Sequence, residues 1–236
     1  DIGVAGAAKD GKLLSGDSFR TMDLGNGKMA LAISDGMGNG ERAYLESQSA
    51  LDMLQQLLRS GIDEKLSIKT VNSVLALRST DEMFATVDLA LIDLQTAHVR
   101  FVKIGSTPSF IKRGDDVITV TASNLPAGIL EDIEVDVVTR TLKPGDLLIM
   151  MSDGIYEAPR HIENRQVWMK RIISELQTDD PQEVADLLLE RVIRQHSGSI
   201  VDDMTVLVAR LDRFVPQWSA IQVHGMPKLE RPRVVS

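Results

Sequence analysis

The apolar positions of this chain change period several times. Ile2–Ala8 and Lys28–Ser34 are short runs of small and branched apolar residues, the pattern of buried strands. Asn26-Gly27, between Phe19–Leu24 and Lys28–Ser34, predicts a hairpin with a two-residue turn. From Glu41 to Arg59 Leu45, Ala50, Leu51, Leu54, Leu57 and Leu58 recur at helical spacing; Ile68–Leu77 predicts a second helix. Strands are then expected over Phe84–Asp93, His98–Gly105, Thr107–Lys112 and Val117–Thr121, with a turn at Arg113-Gly114-Asp115-Asp116. Ile133–Leu142 alternates as a half-exposed strand does. Lys143-Pro144-Gly145-Asp146 is a turn before the wholly apolar Leu147–Met151. Helices are predicted over Asn164–Leu176 and from Pro181 to about His196, the second capped by Asp180, and Met204–Leu211 is a last strand. This order is no regular βαβ alternation. It predicts an α+β fold with antiparallel sheets covered by helices. Prolines and isolated aromatics break any period from Arg213 onward, so the chain divides into a domain over 1–212 and a tail or docking segment over 213–236.

Composition narrows the chemistry. With 43% hydrophobic residues in 236, the chain can build one sizeable core. Net charge is -8, and no Lys/Arg-rich run is present, which argues against nucleic acid as a partner. There is no cysteine, so disulfides and thiolate metal sites are excluded, and a reducing cytoplasm suits the chain. Four histidines against 34 acidic residues make any metal site carboxylate-rich, which favours hard ions such as Mg²⁺ or Mn²⁺. No apolar run reaches the roughly 18–20 residues a membrane span needs. The chain begins with Asp1 rather than Met, as a fragment or processed form would.

Three segments share one design, a short strand adjoining Asp. Met29–Ser34 runs into Asp35-Gly36, Leu147–Ser152 runs into Asp153-Gly154, and Ser15-Gly16-Asp17 precedes the strand at Phe19; Asp202-Asp203 stands just before Met204. Strand ends are rigid, and carboxylates gathered there repel one another unless cations lie between them. Glycine after Asp admits unusual φ values and close backbone approach, so the Gly36 carbonyl can itself ligate a metal. Two such ions can hold a phosphoryl oxygen, acidify water and neutralise developing charge. Taken singly, each Asp-Gly is an ordinary turn, and Asp202-Asp203 an ordinary connector; the matching Ser-Asp-Gly at 34–36 and 152–154 gives the set its force.

Ser34–Gly40, Ser152-Asp153-Gly154 and Asp202-Asp203-Met204-Thr205 resemble the successive metal motifs of the protein phosphatase 2C superfamily in its bacterial branch. More closely, Ser15–Phe19, Asp35–Arg42, Gly105–Gly114 and Asn124-Leu125-Pro126 resemble the phosphatase domain of the stage II sporulation protein E family. The resemblance implies a four-layer α-β-β-α sandwich with two Mn²⁺ or Mg²⁺ ions at one edge. It implies that Asp35 bridges both ions, that Gly36 offers its carbonyl, and that Asp17, Asp153 and Asp202 complete the shell directly or through water. Asp203 stands where many relatives carry Asn. It implies a serine/threonine phosphoprotein phosphatase acting on the phosphoserine of an anti-sigma factor antagonist, so releasing sporulation sigma factor F. It also implies a cytoplasmic location and a membrane-anchored parent with an upstream region; whether the chain is a monomer, a homodimer or a larger oligomer stays open. Unlike the animal enzymes, this chain has Met37 in place of a His, and no Arg shortly before Asp17. Arg42 and Lys12 are therefore the candidates for phosphate contact, with a solvated surface role as the plainer assignment. Two alternatives stay open: a catalytically weak interaction module of the same fold, and a two-metal hydrolase of nucleotides or phosphodiesters. The second lacks a nucleotide fingerprint.

Overall fold

A computed structural model describes residues 1–36, 40–78, 85–103, 107–121, 135–159, 161–196 and 198–213. One five-stranded sheet has the order β1 (Ile2–Ala7), β10 (Met204–Arg210), β9 (Leu147–Met151), β6 (Ser109–Arg113), β7 (Asp116–Val120). The other has the order β2 (Asp17–Gly25), β3 (Lys28–Gly36), β4 (Ala85–Asp93), β5 (His98–Lys103), β8 (Asp136–Thr141). Every neighbouring pair is antiparallel. Helices α1 (Glu41–Arg59) and α2 (Glu64–Arg78) cover the second sheet; α3 (Asp153–Tyr156), α4 (Arg165–Ser174) and α5 (Pro181–Gln195) belong to the first.

The alternation of side chains along each strand builds three hydrophobic layers. On β3, Ala30 and Ala32 face α1, where Leu51 and Leu54 pack against them. Leu31 and Ile33 point the other way, into a core between the sheets shared with Phe101, Ile111, Leu148 and Leu207. A third layer lies beneath α4 and α5, with Phe110, Ile149, Val206, Met169 and Leu188. Each fully buried side chain of this kind contributes about 1.5–3 kcal/mol. Two faces of one strand thus feed two cores, which is why β3, β9 and β10 are apolar almost throughout.

Local signals explain the element ends. Asn26 and Gly27 adopt φ 52° and 71°, the two positive values of a type I′ hairpin turn. Gly61 closes α1 at φ 79°, with its own N–H donating to the Leu58 carbonyl and that of Ile62 to Leu57. Asp180 accepts from the Glu183 amide at 2.8 Å and Pro181 opens α5, as anticipated. The second helix starts at Glu64 rather than Ile68. The Asp63 carboxylate accepts from the amides of Lys65 and Leu66 at 3.0 and 3.2 Å, and a polar capped turn leaves no apolar period to read. Strand β6 begins at Ser109 rather than Thr107, just past Pro108, which has no N–H to give a ladder, and the Thr107 carbonyl accepts from the Lys103 ammonium. The 3-10 turn Lys9–Gly11 and the four-residue α3 were not anticipated, being too short to carry periodicity. Phe84, Ile133, Gly105 and the segment Asn124–Pro126 lie outside the described residues, as does the tail beyond Arg213.

Candidate metal centre

The acids meet where the chain crosses between sheets. Asp17 opens β2 and Asp35 nears the end of β3, and the two are register partners. β9 ends at Met151, and Ser152 leads into α3, whose first residue is Asp153. β10 begins at Met204, partner of Ala7 at the end of β1, so Asp202 and Asp203 stand where β1 leaves the first sheet. The Ser152 amide donates to the Thr205 carbonyl, and the Thr205 amide to the Ser152 hydroxyl, both at 3.0 Å. These bonds fasten the Asp153 turn beside the Asp202-Asp203 segment.

The two Asp-Gly glycines are required for a reason other than φ. Neither is in the left-handed region, which corrects the expectation of unusual φ values. A Cβ on Gly36 would lie 2.3 Å from the Ala43 carbonyl oxygen, and one on Gly154 would lie 1.9 Å from that of Asp203. Backbone pressed against backbone leaves no room for a side chain.

Burial sets the electrostatics. Asp17 is 6% exposed, and neither of its carboxylate oxygens has a hydrogen-bond partner among the described residues. Its pKa is pushed up to about 6, first by desolvation and further by the charges of Asp203 and Asp153. The hydroxyls of Ser152 and Thr205 draw it part of the way back, though neither donates in good geometry. Asp35 is pushed up to about 10 by desolvation, by a hydrogen bond to Asp153 that only its protonated form can donate, and by the charges of Asp17, Asp153 and Asp202. Asp153 is half-buried, and Asp202 is exposed at the mouth. The four sequence-predicted aspartates therefore share one neighbourhood. Among the described residues, no three acidic or histidine side chains close into a single coordination shell as they stand. Buried carboxylate oxygens without donors, in an all-oxygen set, nonetheless fit a hard divalent cation, which would satisfy them and cancel their repulsion.

Lys12 is exposed just past the 3-10 turn, and Arg42 is exposed on the first turn of α1, its Nε 3.4 Å from Glu46. Met37 lies outside the described residues. A cleft of about 560 Å³ between β7 and α4, lined by Arg113, Asp116 and Lys170 among others, is at the opposite end of the sheet from Asp153 and holds none of Asp17, Asp35, Asp153 and Asp202. Sequence reasoning missed an ion pair buried between the sheets, Lys103 to Asp88 at 2.5 Å. The one available signal was an acid and a base set inside apolar strands, Val87-Asp88-Leu89 and Phe101-Val102-Lys103.

The family model described as Stage II sporulation protein E (SpoIIE) matches residues 25–212. The chain is 62% identical over 229 residues to stage II sporulation protein E of Priestia megaterium, covering 97% of this chain and 39% of that protein. It is 60% identical over 221 residues to that of Bacillus subtilis, covering 94% and 27%. The chain thus spans well under half the length of these curated relatives. A solved structure of the PP2C phosphatase domain and a regulatory-domain fragment of SpoIIE from Bacillus subtilis superimposes with TM-score 0.84 at 59% identity, over 91% of this chain and 64% of that one. A more distant relative, at 23% identity over 84% of this chain and 60% of that protein, is named phosphoserine phosphatase RsbU of Bacillus subtilis. By family match, identity and shared sandwich, this chain belongs to the stage II sporulation protein E family and has the fold of its PP2C-type phosphatase domain.

Proposed function

We propose that the chain is a divalent-metal-dependent serine/threonine phosphoprotein phosphatase. The observation that carries this is the pairing of Asp17 with Asp35 across the ladder, with the Asp17 oxygens buried and without donors. Asp35, Asp17, Asp153 and Asp202, with the Gly36 carbonyl, are the residues that would hold Mn²⁺ or Mg²⁺, two ions in all. Bound ions would supply charge neutralisation at a phosphoryl group and acidified water. The chain's own part is to fix these carboxylates on strand ends and to exclude water from Asp17. The exposed Asp202 and half-buried Asp153 leave the approach open to a protein-borne phosphate.

The substrate class is a phosphoserine on an anti-sigma factor antagonist, and the consequence would be activation of sporulation sigma factor F. The motif resemblance and a relative named phosphoserine phosphatase support this reading. We take residues 1–212 as the catalytic unit and 213–236 as a tail or docking segment. Among the described residues no helix is long and apolar enough to cross a membrane; a cytoplasmic domain of a membrane-anchored parent fits that observation. Self-association as a homodimer or oligomer is tested by light scattering on the purified chain.

The decisive experiment is phosphate release from a phosphoserine protein with and without Mn²⁺, on the native chain and on Asp17→Ala and Asp35→Asn. Metal-dependent release abolished by either substitution is expected. Full activity in either variant would overturn the site assignment, and no Mn²⁺ binding at millimolar metal would favour a catalytically weak interaction module.

A further inference from the structure

We infer that Asp203 is a positioning residue, a two-armed clasp that holds both ends of the crossover between the sheets and so sets where Asp17 stands. The inference rests on the assignment of Asp17 and Asp202 to a metal centre. Residues 8–16 carry the chain from β1 to β2. At their start, the Lys9 amide donates to Asp203 Oδ1 at 2.8 Å; at their end, the Gly16 amide donates to Oδ2 at 2.6 Å. Asp203 is 4% exposed, so a charge removed from water depends on those two donors.

The clasp reaches the other acids as well. The Asp203 amide donates to Asp202 Oδ1 at 3.0 Å. Its carbonyl oxygen is the atom a Cβ on Gly154 would strike, so it lies against the residue after Asp153. The Gly16 carbonyl accepts from the Gly36 amide at 3.3 Å. One side chain therefore stands at the junction of the segments that deliver Asp17, Asp202, Asp153 and Gly36. A Cβ on Gly16 would come within 2.9 Å of Asp203 Oδ2, so glycine there is part of the fit. Each carboxylate oxygen accepts from a backbone amide, so Asp203 ties together the segments that deliver the shell.

Carboxylate chemistry matters here. Asparagine offers one acceptor oxygen and an NH₂ group, and that group would face a backbone N–H, donor against donor. Asp203→Asn should therefore release one arm of the clasp. Partners that orient metal ligands typically affect metal affinity by about 10–100-fold.

The test combines amide hydrogen exchange with Mn²⁺ calorimetry and kinetics on the chain. In the native protein without metal, the Lys9 and Gly16 amides should exchange slowly although neither belongs to a strand or α-helix; loop-like exchange at both would overturn the clasp whether or not any variant folds. In Asp203→Asn, one of the two amides should lose protection and the Mn²⁺ dissociation constant should rise by about 10–100-fold, while kcat at saturating Mn²⁺ returns to within a few-fold of native. Unchanged Mn²⁺ affinity with unchanged protection would overturn the proposal. So would loss of kcat that saturating Mn²⁺ does not rescue while protection stays native, since Asp203 would then act on the chemistry itself. If the native chain protects both amides but binds no Mn²⁺, the metal-centre assignment fails and the clasp remains.

Discussion

Asp17 and Asp35 stand directly opposite each other across the β2–β3 ladder, two carboxylates at a position where like charges repel. Desolvation and neighbouring acids raise both pKa values, to about 6 and about 10, from an ordinary 3.8. The metal-free fold therefore carries electrostatic cost at neutral pH, and the cost has a function.

The first prediction concerns removal of the Asp35 carboxyl, whose raised pKa costs stability at neutral pH. Asp35→Asn should stabilise the metal-free chain while abolishing phosphatase activity. A gain of about 1–2 kcal/mol would raise Tm by several degrees in a chain of this size. Thermal unfolding in EDTA at pH 8 measures it, and a Tm below native would contradict the electrostatic account.

A second prediction follows from the sign of the linkage. Each carboxyl has a folded pKa above its unfolded value. Its stabilising contribution is full below about pH 3.8 and declines as pH rises, to about pH 6 for Asp17 and about pH 10 for Asp35. The difference in Tm between native chain and Asp35→Asn, without metal, should widen from pH 5 to pH 9. Mn²⁺ competes with protons for the same oxygens, so the rise in Tm it produces should be larger at pH 8 than at pH 5. A metal response that shrinks with pH would count against ligation by these groups.

Backbone contact at the second Asp-Gly gives a third. In Gly154→Ala the new Cβ would sit 1.9 Å from the Asp203 carbonyl oxygen, and no flexible side chain is there to yield. Overpacking of this kind costs about 1–3 kcal/mol, and the displacement falls between Asp153 and Asp202. Urea unfolding should show that loss together with weakened Mn²⁺ binding. Unaltered stability would mean the approach is looser than described.

The buried pair between the sheets supplies a fourth. Lys103 is 2% exposed, and its ammonium contacts Asp88 at 2.5 Å and the Thr107 carbonyl at 2.8 Å. Asp88→Leu alone leaves an uncompensated buried cation and should cost about 3–5 kcal/mol. Asp88→Leu with Lys103→Met should regain most of that loss. Denaturant unfolding of both variants and the native chain measures the recovery, and a double variant as unstable as the single would refute it.

Much of the architecture was legible in the residues. The Lys28–Ser34 run and the positive-φ pair at Asn26-Gly27 specify a hairpin with two apolar faces, and the helical spacing of Glu41–Arg59 specifies what covers one of them. The repeated Ser-Asp-Gly marks Asp35 and Asp153, because a strand running into an acid is a local pattern. Local patterns do not say which strands pair. Ile2 lies beside Ala209 only because β1 and β10 close one sheet from opposite ends of the described chain. Nor do they reveal what Asp203 holds, since its two acceptor contacts reach back to Lys9 and Gly16 from 194 and 187 residues away in sequence. Residue patterns alone mark which acids adjoin strands, although Asp153 proves to open α3 and not to end β9. Folding is what buries Asp17 without donors, raises the Asp35 pKa by desolvation and by the neighbouring Asp153, and makes glycine necessary for contact and not for φ. Desolvation and close approach are properties of the space between segments, and that space exists only once the chain has folded.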